Sequence, residues 1–187
     1  MSDDNIVNKI MELFEKRGSS NYGGEAGSQL EHALQAATLA RKAGSSSELV
    51  CAALMHDIGH LIEDPAVSER DEGNLDDQHE ERGFRWLGRF FGPAIVDPVR
   101  LHVAAKRYLC TVDQEYLGLL SPASLQSYHD QGGEMSSEEV AEFETEPNRD
   151  AAVLVRRWDD TAKPPGLATP TINDFVADLE AVAATVQ

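Results

Sequence analysis

His56 and Asp57 stand side by side after the apolar run CAALM, and Ile58 continues that run. Two ionisable side chains in such a setting are costly to bury without partners. A metal ion satisfies both at once, because neutral imidazole and carboxylate oxygen suit Fe, Mn, Zn and Ni. Five of the six histidines fall between positions 32 and 102: His32, His56, His60, His79 and His102. Asp159 follows Trp158 on a later segment that begins apolar, AAVLV. His32, His56, Asp57, His79, His102 and Asp159 are therefore candidate ligands contributed by separate helical segments, as metal sites in helical bundles are. Each histidine taken alone is more often a hydrogen-bonded core or surface residue than a ligand, and only the adjacent pair reads better. On spacing alone, Asp160 competes with Asp159, and His129 in the polar stretch SYHDQ reads as surface.

The elements that must position these residues read as helices almost throughout. Ile6, Ile10, Leu13 and Phe14 recur at helical spacing up to Gly18. Ser28 with Glu31 looks like a capping box opening a second helix that closes at Gly44. Ser45 with Glu48 repeats the box and opens a helix that delivers His56-Asp57 near its end. Residues 63–78 are acidic and aperiodic, so an exposed loop or lid is expected there. A helix follows from about Asp77 to Phe91, and Asp97-Pro98 reads as an N-cap with proline at N1, starting a helix through His102 to Tyr108. Ser121-Pro122 repeats that signal, Ser136 with Glu139 opens another helix, and residues 150–162 and 172–185 form the last two. No pair of alternating β-branched runs argues for a sheet. The expected fold is all-α, one compact domain over 1–187 of roughly eight helices.

Composition limits the partners. Sixteen basic against 33 acidic residues give a net charge of −17. Such a surface repels phosphate backbones and anionic membranes, so nucleic acid and membrane partners are not expected. A small anionic substrate needs local positive charge. Cys51 and Cys110 show no CxxC spacing and read as reduced, packed thiols. The opening MSDDNIVNKI has no secretory pattern, and no apolar run approaches the roughly 18 residues of a membrane helix, so a cytoplasmic location is expected.

The order His32, His56-Asp57, Asp159 resembles the H…HD…D signature of the HD superfamily, shared by many phosphohydrolases. His79 and His102 in between imply a two-metal member. The segments NYGGEAGSQLEHALQ, AALMHDIGH, HVAAKRYL, LSPAS with QGG, and RRWDD are similar to the phosphonate-cleaving di-iron oxygenases, relatives of myo-inositol oxygenase that act on 1-hydroxy-2-aminoethylphosphonate. The resemblance runs from about residue 20 to 165.

This resemblance implies a mixed-valent Fe(II)/Fe(III) pair bridged by Asp57, with O2 as co-substrate. One iron is held by His32, His56 and Asp159, the other by His79 and His102. Tyr22 and Glu25 match the family's gate, where the tyrosine occupies an iron site until substrate arrives and the glutamate responds to the substrate's amino end. His60, Lys106, Ser124 and Arg156 match positions around the phosphonate. By spacing alone Lys106 and Arg156 read as a solvated helix face; the resemblance reverses that, and a bidentate arginine suits a tetrahedral oxyanion. Gly23, where the family can carry a bulky apolar residue, leaves room for a larger headgroup such as trimethylammonium, or simply serves a turn. The implied reaction is oxidative C–P cleavage giving phosphate and glycine or glycine betaine. The rival enzyme class is metal-dependent hydrolysis of a nucleotide or small phosphate ester. A metal-stabilised binding protein is the third.

Overall fold

A computed structural model describes residues 5–21, 25–62 and 78–183. Tyr22, Gly23 and most of the expected 63–78 loop lie outside the described residues. Ten α-helices are present among those residues: α1 Ile6–Arg17, α2 Gln29–Lys42, α3 Ser47–Met55, α4 His79–Leu87, α5 Pro93–Val112, α6 Gln114–Leu117, α7 Pro122–Asp130, α8 Ser137–Thr145, α9 Arg149–Thr161 and α10 Val176–Ala183. Two 3₁₀ turns, Ile58–His60 and Ile172–Phe175, complete them. No strand occurs among the described residues; one isolated bridge joins Asn21 and Ser28. The fold is all-α, as expected, and the larger helix number reflects short pieces such as α6.

Local sequence explains most helix starts. Ser28 accepts from Glu31 N while the Glu31 carboxylate accepts from Ser28 N, closing the capping box of α2. Ser136 and Glu139 do the same for α8. Ser121 caps α7 with Pro122 at N1. Gly44 takes a left-handed φ of 73° just past α2.

Two starts differ from the sequence reading. The cap of α3 is Ser46, which accepts from Leu49 N, not Ser45. Asp97-Pro98 does not open a helix. The helix begins at Pro93 after Gly92, and Pro98 lies inside it. Pro93 supplies the preset N1 residue first, and the bond that Pro98 cannot donate would have gone to the carbonyl of Ala94, which lies on the exposed side.

The main core gathers α1, α2, α3, the start of α5 and α10 around Ile10, Leu54, Met55, Ile58, Phe175 and Leu179, all essentially inaccessible. Each such apolar side chain contributes roughly 1.5–3 kcal/mol. Val50 to Met55 of α3 are all buried, so this helix is apolar all round and runs through the middle. The sequence that follows it, His56-Asp57, is thereby carried into the interior. Helix α9 packs on α5 and α2 and closes the opposite side. Cys51 and Cys110 are free and buried.

Candidate metal centre

Each candidate ligand reaches the interior by its own element. His32 lies one turn into α2 on its buried face, and His56 ends α3. Asp57 follows at the 3₁₀ turn, His79 is the first residue of α4, His102 lies mid-way along α5, and Asp159 sits in the last turn of α9. All six are buried. Gln78, in the left-handed region at φ 49°, turns the chain into His79. Gly59 allows this approach: a Cβ there would lie 1.9 Å from the His79 carbonyl oxygen.

The other five side chains gather around the Asp57 carboxylate from two sides. On one side His32 Nε2 and His56 Nε2 are 3.0 Å apart. They lie 3.6 and 3.5 Å from Asp57 Oδ2. Asp159 is 3.3 Å from His32 Nε2 and 3.9 Å from His56 Nε2. On the other side His79 Nε2 and His102 Nε2 are 3.1 Å apart and stand 3.2 and 3.4 Å from Asp57 Oδ1. Two ligand atoms each about 2.1 Å from a first-row metal are separated by about 3.0 Å at a right angle, about 3.4 Å at a tetrahedral one and more at wider angles. The two oxygens of Asp57 thus face two separate donor groups.

Hydrogen bonding tests whether a cation fits. His32 Nδ1 donates to Ala162 O at 2.8 Å, His56 Nδ1 to Ala53 O at 2.9 Å and His102 Nδ1 to Val99 O at 2.7 Å. A carbonyl only accepts, so each Nδ1 carries the proton and each neutral ring turns its Nε2 lone pair to the centre. Lone pairs 3.0 Å apart repel unless a cation lies between them. Backbone-anchored histidine is also the usual outer support of a bound metal. Burial pulls His102 down to about 4 and lowers His56. Burial opposes charging His32 as well, but Asp159 raises it. Burial would raise Asp57 too, yet His56, His102 and His79 hold it well below the carboxylate range. The donor set is two carboxylates and four imidazoles, a combination whose chemistry suits a metal ion.

The remaining expected residues surround this cluster differently. His60 stacks on His79 with ring centroids 4.1 Å apart, and its donor lies within 4.8 Å of those of Asp57 and His79. Lys106 is 2% exposed and donates to Ser127 Oγ at 2.7 Å. Burial, with Arg156 nearby, lowers its ammonium to about 8. Arg156 is tied to the ligand helix itself: its guanidinium meets Asp159 at 2.7 Å, also pairs with Asp160, and donates to Tyr116 OH at 3.1 Å. Tyr116 in turn donates to Asp160. Asp160 faces this network, whereas Asp159 faces the histidines. Ser124 and Glu25 share a partner that sequence reasoning missed, Lys163, which donates to them at 2.6 and 3.1 Å. Ser127 and Tyr116 were also missed. The signals for Ser127 and Lys163, a serine one turn after Ser124 and a lysine one turn after Asp159, are too common to be read without the fold. His129 is exposed.

Comparison with known proteins matches residues 30–162 to the HD domain model. The chain is 47% identical over 178 residues to hydroxymethylphosphonate dioxygenase of Gimesia maris, covering 93% of this chain and 86% of that relative. It is 45% identical over 166 residues to the glycine-betaine-forming [1-hydroxy-2-(trimethylamino)ethyl]phosphonate dioxygenase of Leisingera caerulea, covering 89% and 84%.

Proposed function

The chain belongs to the HD-domain family, and from its similarity to phosphonate dioxygenases we propose that it is a dioxygenase cleaving the C–P bond of a 1-hydroxyphosphonate. The substrate is of the 1-hydroxy-2-aminoethylphosphonate type, with the N-trimethylated compound as the variant that the Leisingera caerulea relative's name supplies. The products are phosphate and the carboxylate: glycine from the free amine, glycine betaine from the trimethylated form. The balance closes with one O2 per substrate and release of one proton, the two oxygen atoms being accounted for in the carboxylate and the phosphate. The observation that carries this reading is a buried carboxylate, Asp57, with a separate donor group at each oxygen, in a chain whose relatives are phosphonate dioxygenases.

Two iron ions in the Fe(II)/Fe(III) state are the metals of this proposal. His32, His56 and Asp159 would hold one and His79 and His102 the other, with Asp57 offering one oxygen to each group. When bound, the pair would supply Lewis acidity for the substrate's hydroxyl and phosphonate oxygens and redox activation of O2, while the electrons that O2 takes up come from the substrate. The chain's own groups position the substrate. Lys106, cationic below about pH 8 and held by Ser127, offers a buried positive charge to the phosphonate. Ser124 adds a hydroxyl and His60 a ring nitrogen beside the second donor group. Arg156 adds positive charge to the same wall while orienting Asp159. Glu25 and Tyr22 serve the headgroup end. Burial of the cluster excludes water.

The test is phosphate release by iron-loaded protein from 1-hydroxy-2-aminoethylphosphonate and its trimethylated analogue, with oxygen uptake recorded. One O2 consumed per phosphate is expected. Phosphate released from a nucleotide or phosphate ester without oxygen would replace this reading by hydrolysis.

A further inference from the structure

Lys163 has no role in the reaction as described so far. It follows Ala162, whose carbonyl accepts from His32 Nδ1 at 2.8 Å, so its backbone is anchored beside the ligand cluster. Its ammonium donates to Ser124 Oγ at 2.6 Å, and to Ser121 Oγ and Glu25 Oε1 at 3.1 Å each. Ser121 also donates to the same Glu25 oxygen. The pair is sheltered, with side-chain exposures of 15% for Lys163 and 20% for Glu25. Charges in such a place are weakly screened by salt.

A carboxylate beside the cluster attracts a cationic headgroup, but Lys163 already supplies its counter-charge. An arriving ammonium must share Glu25 with another ammonium or push it aside. A headgroup without charge meets no such conflict. We propose that Lys163 is a specificity-determining residue. It competes with a cationic headgroup for Glu25 and so limits how far the site favours ammonium-bearing 1-hydroxyphosphonates over uncharged ones. The inference rests on the substrate class and the Glu25 position given under Proposed function. A purely structural clamp between α7 and the chain after α9 would change stability without changing this preference.

Calorimetric binding to the iron-loaded full chain, without oxygen, reads the preference directly. The probes are hydroxymethylphosphonate and 1-hydroxy-2-(trimethylammonio)ethylphosphonate. Removing a like charge from beside a headgroup predicts that Lys163→Gln shifts the Kd ratio toward the trimethylammonio compound by roughly tenfold or more. Lys163→Arg, which keeps the charge, retains the wild-type ratio, and the Glu25→Gln/Lys163→Gln double variant loses the gain. A ratio unmoved in Lys163→Gln, or equally moved in Lys163→Arg, overturns the proposal. Should thermal melting show that Lys163→Gln does not fold, Glu25→Gln decides: it must shift the ratio toward hydroxymethylphosphonate, and no shift overturns the proposal. Phosphate release under air from the same compounds is recorded separately. Its absence in the wild type would sink the oxygenase reading, while the binding ratio still decides the role of Lys163.

Discussion

The two donor groups that share Asp57 are built in different ways. In the first, His32 and His56 are each tied through Nδ1 to a backbone carbonyl, and Asp159 is gripped by Arg156. The His32 tether is long-range, since His32 and Ala162 are 130 residues apart in sequence, whereas those of His56 and Asp159 are local. In the second, His102 has the same kind of tether. His79, however, opens a helix after a left-handed residue and depends on the bare backbone of Gly59 to come close. Both groups use hydrogen-bonded histidines, but only the second also needs a steric allowance, at His79. Hydrogen bonds degrade gradually when altered, whereas a missing Cβ tolerates no addition.

The shared residue should show the largest effect. Asp57→Ala is expected to lose both metals and to lower kcat/KM by well over 100-fold, beyond the roughly 10–100-fold typical of outer supports; elemental analysis and phosphate release check this. His56→Ala should lose most bound metal from the first group, and full retention would break the comparison. Gly59→Ala should act on the second group alone. Its Cβ would meet the His79 carbonyl, so bound metal should fall from two toward one per chain, with roughly 1–3 kcal/mol lost from stability. Equal loss from both groups would show that they are not built independently.

Asp160→Asn should weaken metal binding by about tenfold, because Arg156 loses a charged partner and orients Asp159 less firmly. Competition with a chelator measures it. Lys106 gives a pH signature. Its ammonium is present below about 8 and is lost as pH rises, so kcat/KM should fall on the alkaline side, and Lys106→Arg should move that limb upward. Stability runs the other way: between about 8 and the ordinary 10.5 the unfolded chain binds more protons, so this group's contribution rises with pH. The smallest effect is expected for Ser28→Ala, which removes the cap of α2 at about 1 kcal/mol while leaving the His32 tether in place. Thermal melting should shift while metal content stays.

Local chemistry was legible wherever partners are close in sequence. The capping boxes at Ser28 and Ser136, the Ser121-Pro122 start and the central apolar helix before His56 can all be read from neighbouring residues, because caps and helical faces are set within four positions. The same rule misplaced the start at Pro98, since two prolines competed and only packing told which one opens the helix. Ser46 in place of Ser45 is a one-residue ambiguity of the same kind.

By itself the sequence determined an all-helical chain, an acidic surface, and a set of histidines and aspartates matching the HD pattern. These follow from residue type and short spacing. Only the tertiary structure decided that Asp57 turns one oxygen to each donor group, that Asp159 rather than Asp160 faces the histidines, that Arg156 braces a carboxylate, and that Lys163 meets Glu25. Each of these depends on elements distant in sequence packing at distances of a few ångströms, a relation that helical periodicity along the chain does not encode.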